Sequence, residues 1–128
     1  MNAHGFTHFD THFENIVTDG QRFCFGDFGL ALSSDFELTE DEVAFLARHR
    51  RYDHGRAAVG YAHCLGTAFF GKDQWKDNLR TFMRTAQPSV PPAIAAAIQQ
   101  QAPFALALLE FSRKLREDNK KTAYPAEL

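Results

Sequence analysis

The chain has 128 residues, of which 45% are hydrophobic and 23% charged, and its formal net charge is -2. This size and balance predict one compact domain, and they argue against a nucleic-acid partner or a membrane: the charges are mixed, and the longest apolar runs, of six residues, fall short of the roughly 20 that a span needs. The two isolated cysteines, Cys24 and Cys64, and the polar N-terminus predict a cytoplasmic protein without a disulfide framework or a secretory signal.

A loop-rich opening segment of about 38 residues precedes the helical part of the chain. Within it, the β-prone runs 16–18 and 22–25 lie on either side of Asp19-Gly20. Because an Asp-Gly pair favours a tight turn, these runs predict a β-hairpin over residues 16–25.

Helical periodicity begins near residue 39. Thr39 followed by Glu42 is typical of a capping box and predicts a helix to about Arg50. A second helix is predicted over residues 53–70, weakened by three glycines and ended by Gly71. Its expected buried face consists of Ala57, Tyr61, Leu65 and Ala68.

A third helix is predicted over residues 73–85, with Trp75, Leu79 and Phe82 on one stripe. Pro88, Pro91 and Pro92 then predict a loop and a short helix to Gln101, which Pro103 interrupts. The last helix is expected to bury one side, and the tail 118–128 is expected to fray. The apolar positions of that side are Phe104, Leu108, Phe111 and Leu115.

The candidate catalytic residues lie in residues 8–29, which read HFDTHFENIVTDGQRFCFGDFG. Asp10 and Asn15 lie five residues apart on one loop, and the predicted hairpin returns the chain so that Asp27 follows. Mg²⁺ needs hard oxygen ligands, and an alcohol nucleophile needs a carboxylate to orient it and accept its proton. These side chains therefore match the needs of phosphoryl transfer.

Two motifs in this segment resemble the C-terminal lobe of the kinase-like phosphotransferases. His8-x-Asp10-x4-Asn15 is similar to their catalytic loop, and Asp27-Phe28-Gly29 to their metal-binding motif. His12, two residues after Asp10, is similar to the aminoglycoside phosphotransferase and choline kinase branch, in which the position of Phe9 is commonly Gly. The Ala-Pro-Glu motif of protein kinases does not follow, which favours a small-molecule substrate.

The resemblance implies a mainly α fold with a small β-hairpin, a protein-kinase-like C-terminal lobe over residues 1–117. Asp10 would be the catalytic base, Asn15 and Asp27 the Mg²⁺ ligands, and ATP the phosphoryl donor to a small-molecule hydroxyl. His8 would brace the loop, and His12 would lie near the phosphates. Because Met1 stands seven residues before His8, the chain is expected to be a partial catalytic domain without the N-terminal lobe.

Three alternatives remain open at this stage. The 13 phenylalanines are compatible with a non-catalytic remnant whose apolar surface pairs with a second copy or with the missing lobe. The spacing of His4, His8 and His12 could indicate a zinc site if the segment were helical. The acidic residues at positions 35–42 could attract a cationic substrate, or they could simply complement a helix dipole. They are Asp35, Glu37, Glu40, Asp41 and Glu42.

Overall fold

A computed structural model describes residues 4–85 and 90–125. Helices dominate, and the expected mainly α fold with a small antiparallel hairpin is confirmed. The strands are β1 (Phe6–Thr7), β2 (Ile16–Thr18), β3 (Phe23–Phe25) and β4 (Leu32–Ser33), and the helices are α1 (Glu40–Arg48), α2 (Tyr52–Phe70), α3 (Trp75–Arg84) and α4 (Pro92–Glu117).

The predicted hairpin is present as β2 and β3, paired antiparallel with Val17 opposite Cys24. The Asp19 carboxylate closes the turn by accepting the backbone N–H groups of Gln21 at 2.9 Å and Arg22 at 2.8 Å. These bonds lower the pKa of Asp19. Cys24 is exposed, as are Val17 and Phe23 of the same hairpin.

A second antiparallel pair, β1 with β4, was not predicted. Phe6 pairs with Ser33, and Thr7 with Leu32. Strands of two residues carry no alternating pattern from which to recognise them. The pairing closes the opening segment on itself, so that the loop of residues 8–15 and the hairpin lie between β1 and β4 along the chain.

The capping box predicted at the start of α1 is confirmed. The backbone N–H of Thr39 donates to Glu42 Oε2 at 2.8 Å, and the Thr39 hydroxyl accepts from the backbone N–H of Glu42 at 3.4 Å. The bonds from Thr39 lower the pKa of Glu42.

Helix α2 has the predicted extent and ends at Gly71, whose φ is +86°. The expected buried face was wrong, since Ala57 and Tyr61 are exposed. The helix instead buries a face of small residues, because its glycines allow neighbouring side chains to approach the backbone. The buried positions of this face include Gly55, Ala58, Ala62 and Gly66.

The core lies between α2, α3 and α4. The α3 stripe of Trp75, Leu79 and Phe82 is buried as predicted. Leu79 is fully buried and packs in one cluster with Ile98 of α4.

Helix α4 corrects the prediction of two helices separated at Pro103, because it runs without a break from Pro92 to Glu117. Pro103 is exposed, and the carbonyl that loses its bond belongs to Gln99, also exposed, so water can satisfy it. Ala102 and Ala105, both fully buried, hold the helix on either side. The loop position Pro88 lies outside the described residues.

By length and composition, α4 is the one helix in the described ranges that could cross a membrane. A core helix of a globular protein, which is mostly buried, passes the same test, whereas 22% of the apolar 18-residue stretch of α4 is buried. Here its buried positions Ile98, Ala102, Ala105 and Leu108 face the neighbouring helices.

The tail does not fray immediately after α4. Tyr124 is 7% exposed and packs with Leu108, and its ring lies 5.3 Å from that of Phe111. Burial raises the pKa of Tyr124 to about 12. The chain is therefore anchored to the core as far as residue 125.

Candidate functional site

The loop after β1 is fixed to the start of α2 by one buried carboxylate. Asp53, 4% exposed, accepts the backbone N–H of His8 at 2.8 Å and that of Phe9 at 2.9 Å. The Thr11 hydroxyl donates to the backbone carbonyl of Asp53 at 3.2 Å. Because bonds to an ionised carboxylate are strong, Asp53 sets the path of this loop. Sequence reasoning missed it, since an acidic residue in the first turn of a helix normally needs no tertiary partner.

His8 connects the loop to the chain beyond the hairpin. It is fully buried, and its Nε2 lies 2.9 Å from the carbonyl oxygen of Gly26, to which it donates. Its Nδ1 accepts the backbone N–H of Asp10 at 3.3 Å. The ring also lies 5.0 Å from the ring of Phe28. These contacts give His8 a bracing position in the fold.

Phe9 adopts a left-handed backbone conformation, with φ at +65°. This region is strained for a bulky residue. The Asp53 bond holds its N–H, and its ring lies 5.5 Å from the rings of Phe45 and Tyr52. The loop thus has, with phenylalanine, a conformation in which glycine is normally favoured.

Asp10 and Asn15 are in direct contact. The Asn15 amide Nδ2 donates to the Asp10 backbone carbonyl at 3.0 Å and to Asp10 Oδ2 at 3.1 Å. His12 Nε2 lies 3.4 Å from the same Oδ2. The Asp10 side chain is 30% exposed, so its carboxylate is held between two polar neighbours and remains accessible to a ligand.

The hairpin brings Asp27 back to the Asn15 end of the ribbon. The backbone N–H of Gly26 donates to the Asn15 carbonyl at 2.8 Å, and Asp27 follows directly. Asp27 has φ at +53° and is exposed, and its Oδ1 accepts a long bond of 3.4 Å from Gly29 N–H. Among the described residues, no side-chain bond joins Asp27 to Asp10 or Asn15.

The zinc alternative is not supported. Residues 4–85 and 90–125 contain no group of three or more His, Cys, Asp or Glu arranged for a metal. The segment from His4 to His12 is not an α-helix, and the Nε2 of His8 is already bonded to Gly26. The side-chain oxygen of Asn15 lies in the residue that contacts Asp10, and Asp27 follows Gly26, which bonds to Asn15. Oxygen atoms of these types suit a hard cation such as Mg²⁺.

Comparisons with family models, with curated proteins and with solved structures give no match for this chain. Its function is therefore inferred from the residues of the site and from the motifs that they form.

Proposed function

We propose that this chain is the C-terminal lobe of a kinase-like phosphotransferase that transfers the γ-phosphoryl group of ATP to a small-molecule hydroxyl in the cytoplasm. The observation that carries the proposal is the contact between Asp10 and Asn15, at the end of a hairpin whose second strand leads directly to Asp27. The backbone bond from Gly26 to Asn15 places the residue before Asp27 beside Asn15, which supports a role for the two motifs in one site.

Asp10 is the catalytic base of this proposal. Its carboxylate is partly exposed, so it can orient an alcohol and accept its proton while the alcohol oxygen bonds to the γ-phosphorus and the bond to the β–γ bridging oxygen breaks, with ADP as the leaving group. The bond from Asn15 Nδ2 to Asp10 Oδ2 helps to orient the carboxylate, which favours in-line attack. The bonds of His8 and Phe9 to Asp53 fix the backbone directly before Asp10.

Asn15 and Asp27 suit the Mg²⁺ of the nucleotide. The bonds of Asn15 to Asp10 use its Nδ2, which leaves the side-chain oxygen for a cation, and the carboxylate of Asp27 is exposed. Protein Mg²⁺ sites commonly use one or two such ligands together with the phosphates themselves. The ion would neutralise charge on the transferred phosphoryl group.

Calorimetric titration of the full chain with Mg-ATP tests the proposal. Binding is expected, and Asp27→Ala should abolish it. Asp35→Ala is the matched control, because Asp35 is an exposed aspartate eight residues further on, after β4. No binding, or equal binding by the chain and Asp27→Ala, would contradict the proposal.

A second variant tests the role of Asp10. Asp10→Asn keeps the shape of the side chain and removes the base, so phosphoryl transfer should fall by about 10²- to 10⁴-fold while Mg-ATP affinity is retained. An unchanged transfer rate would remove Asp10 from the mechanism.

A non-catalytic interaction module is the second candidate, and a different observation favours it. Large apolar side chains of the opening segment are exposed: Phe23 to 79%, Leu30 to 64% and Phe28 to 53%. Apolar surface of this kind favours association with a second copy or with another lobe. Sedimentation equilibrium distinguishes the candidates, since a monomer at all concentrations that binds Mg-ATP would count against the module.

A further inference from the structure

A cavity of about 510 Å³ lies beside the proposed catalytic loop. His12 and Phe13 of the loop form one wall, α2 contributes Arg56 and His63, and the start of α3 contributes Trp75. This volume is within the usual range for small-molecule sites.

The wall of this cavity is rich in cationic and imidazole groups. Arg56 and Lys76 carry permanent positive charges, and His12 and His63 add two imidazoles. The one carboxylate in the lining is Glu14, whose side chain is 95% exposed. The cavity therefore has a positive bias, although the whole chain has a formal net charge of -2.

Arg56 is the most informative of these groups. It is half-buried on α2, and in the described part of the chain it makes no hydrogen bond or ion pair. Asp53, one turn before it, already uses both carboxylate oxygens to accept from His8 and Phe9. A partly desolvated guanidinium without a carboxylate partner is suited to an anionic ligand.

The position of the cavity distinguishes it from the nucleotide side of the site. Asp10 Oδ2 lies 3.1 Å from Asn15 Nδ2 and 3.4 Å from His12 Nε2. His12 lines the cavity, whereas Asn15 and Asp27 do not. A molecule in the cavity would thus lie next to His12, a neighbour of Asp10, and not next to the proposed Mg²⁺ ligands.

We propose that this cavity binds the phosphoryl acceptor, and that the acceptor is a small hydroxyl compound carrying a phosphate or carboxylate group. The role of the bound compound as phosphoryl acceptor rests on the proposed function, whereas the binding of an anion rests on the cavity alone. The proposed site does not use the acidic residues at positions 35–42, which could have attracted a cationic substrate, because they are absent from the lining of this cavity.

The test uses Trp75, which is the only tryptophan of the chain and lies in the cavity wall. Its fluorescence is followed during titration with sn-glycerol 3-phosphate, glycerol and choline, at constant ionic strength, with EDTA and without nucleotide. The phosphate compound should give a saturable change, and glycerol and choline should give none. A saturable response to choline, an equal response to glycerol, or no response to the phosphate compound would overturn the proposal.

Two charge-removing variants assign the response to the cavity. Arg56→Gln and Lys76→Gln should each weaken the Kd for sn-glycerol 3-phosphate by about tenfold, the effect of losing one charge-assisted contact. Arg84→Gln removes the same charge from the exposed end of α3, outside the cavity lining, and should leave the Kd unchanged. Equal weakening by all three variants would indicate general charge attraction and contradict the proposal.

A final arm separates the acceptor from the phosphates of the nucleotide. The titration is repeated with excess Mg-ADP in place of EDTA, and the Kd for sn-glycerol 3-phosphate should stay within about twofold, because the proposed Mg²⁺ ligands Asn15 and Asp27 do not line the cavity. Competition by Mg-ADP would assign the cavity to the nucleotide and overturn its role as an acceptor site. The proposed function fails separately, if calorimetry detects no Mg-ATP binding while the cavity still binds the phosphate compound.

Discussion

The opening segment and the helical layer are held together in different ways. Between residues 4 and 38, the fully or nearly buried side chains are polar: Thr7, His8, Thr11 and Ser33. Between α2, α3 and α4 the largest buried cluster is entirely apolar. Hydrogen bonds thus hold the opening segment together, whereas the packing of apolar side chains holds α2, α3 and α4 together.

The hydrogen bonds of the opening segment are suited to its unusual backbone conformations. Phe9 and Asp27 both have positive φ, a conformation that packing alone rarely maintains in a residue with a side chain. Hydrogen bonds with fixed geometry, above all those to Asp53, can hold such a backbone. The helical layer supplies the rigid support, because Asp53 lies on α2.

The largest effect is expected from a substitution that leaves an empty space in the core between α2, α3 and α4. Leu79 is 0% exposed, so Leu79→Ala should reduce the free energy of unfolding by about 2–5 kcal/mol. Urea denaturation followed by circular dichroism measures this change. Met83→Ala on the same helix is the control, because Met83 is 37% exposed and should cost much less. Equal losses in the two variants would contradict the assignment of the core.

The next effect comes from removal of the polar anchor. Asp53→Ala leaves the backbone N–H groups of His8 and Phe9 without their acceptor and should cost about 2–4 kcal/mol. Hydrogen exchange at low denaturant should show the largest loss of protection at these two amides. The amides of α3 should retain their protection under the same conditions. Asp77→Ala, an exposed aspartate at the start of α3, is the control. Unchanged exchange at His8 and Phe9 would show that Asp53 does not hold the loop.

A pair of glycine substitutions compares the two regions at their contact with α2. A Cβ on Gly66 would lie 3.2 Å from Trp75 Cβ in the core, and one on Gly60 would lie 3.2 Å from the ring of Phe13. Phe13 is 46% exposed and can move. Gly60→Ala should therefore gain about 0.5–1 kcal/mol from helix propensity, whereas Gly66→Ala should lose about 1 kcal/mol. Thermal denaturation shows whether each variant raises or lowers the stability. A change in the same direction for both variants would contradict this prediction.

The smallest effect is a pH dependence at the aromatic contact that joins the two regions. The ring of His49 lies 4.0 Å from that of Phe45 and 4.4 Å from that of Tyr124. Burial lowers the pKa of His49 below its usual value of 6.5, helped by the charge of Arg48 and opposed by the bond to the Phe45 carbonyl. The unfolded chain then binds a proton at His49 more readily than the folded chain, so stability falls as the pH drops below about 6.5.

His49→Gln isolates this contribution. Urea denaturation of the chain and the variant between about pH 7.5 and about pH 5.5 should show a shallower loss of stability for the variant. A parallel loss in both proteins would assign the pH dependence to other groups.

Much of the fold could be predicted because its signals are local. Thr39 and Glu42 form their capping box within one turn, and Asp19-Gly20 closes its hairpin within four residues. The stripe of Trp75, Leu79 and Phe82 is large and periodic. In each case neighbouring residues decide the structure before any tertiary contact is needed.

The errors arose where a tertiary contact overrides the local signal. Pro103 ends a helix in isolation, but the packing of Ala102 and Ala105 carries α4 through it. The glycines of α2 indicate a weak helix, yet Gly55 and Gly66 provide the close approach of Leu108 and Trp75.

The residues of the candidate site come from the sequence, whereas their support comes from the structure. The motifs with Asp10, Asn15 and Asp27 suggest the site, and its role stays a prediction. The anchor Asp53 is 44 and 45 residues away from Phe9 and His8, whose N–H groups it accepts, and the cavity around Arg56 requires α2 and α3 to be placed. Neither follows from spacing in one segment.

The most direct test of the central claim is paramagnetic line broadening with Mn-ATP in the ¹⁵N-labelled chain. The divalent ion should broaden the amide signals of Asn15 and of Asp27 to Gly29 first, and Asp27→Ala should remove the effect while Asp35→Ala does not. Broadening confined to the acidic first turn of α1, or identical broadening in both variants, would contradict a shared metal site formed by the two ends of the hairpin.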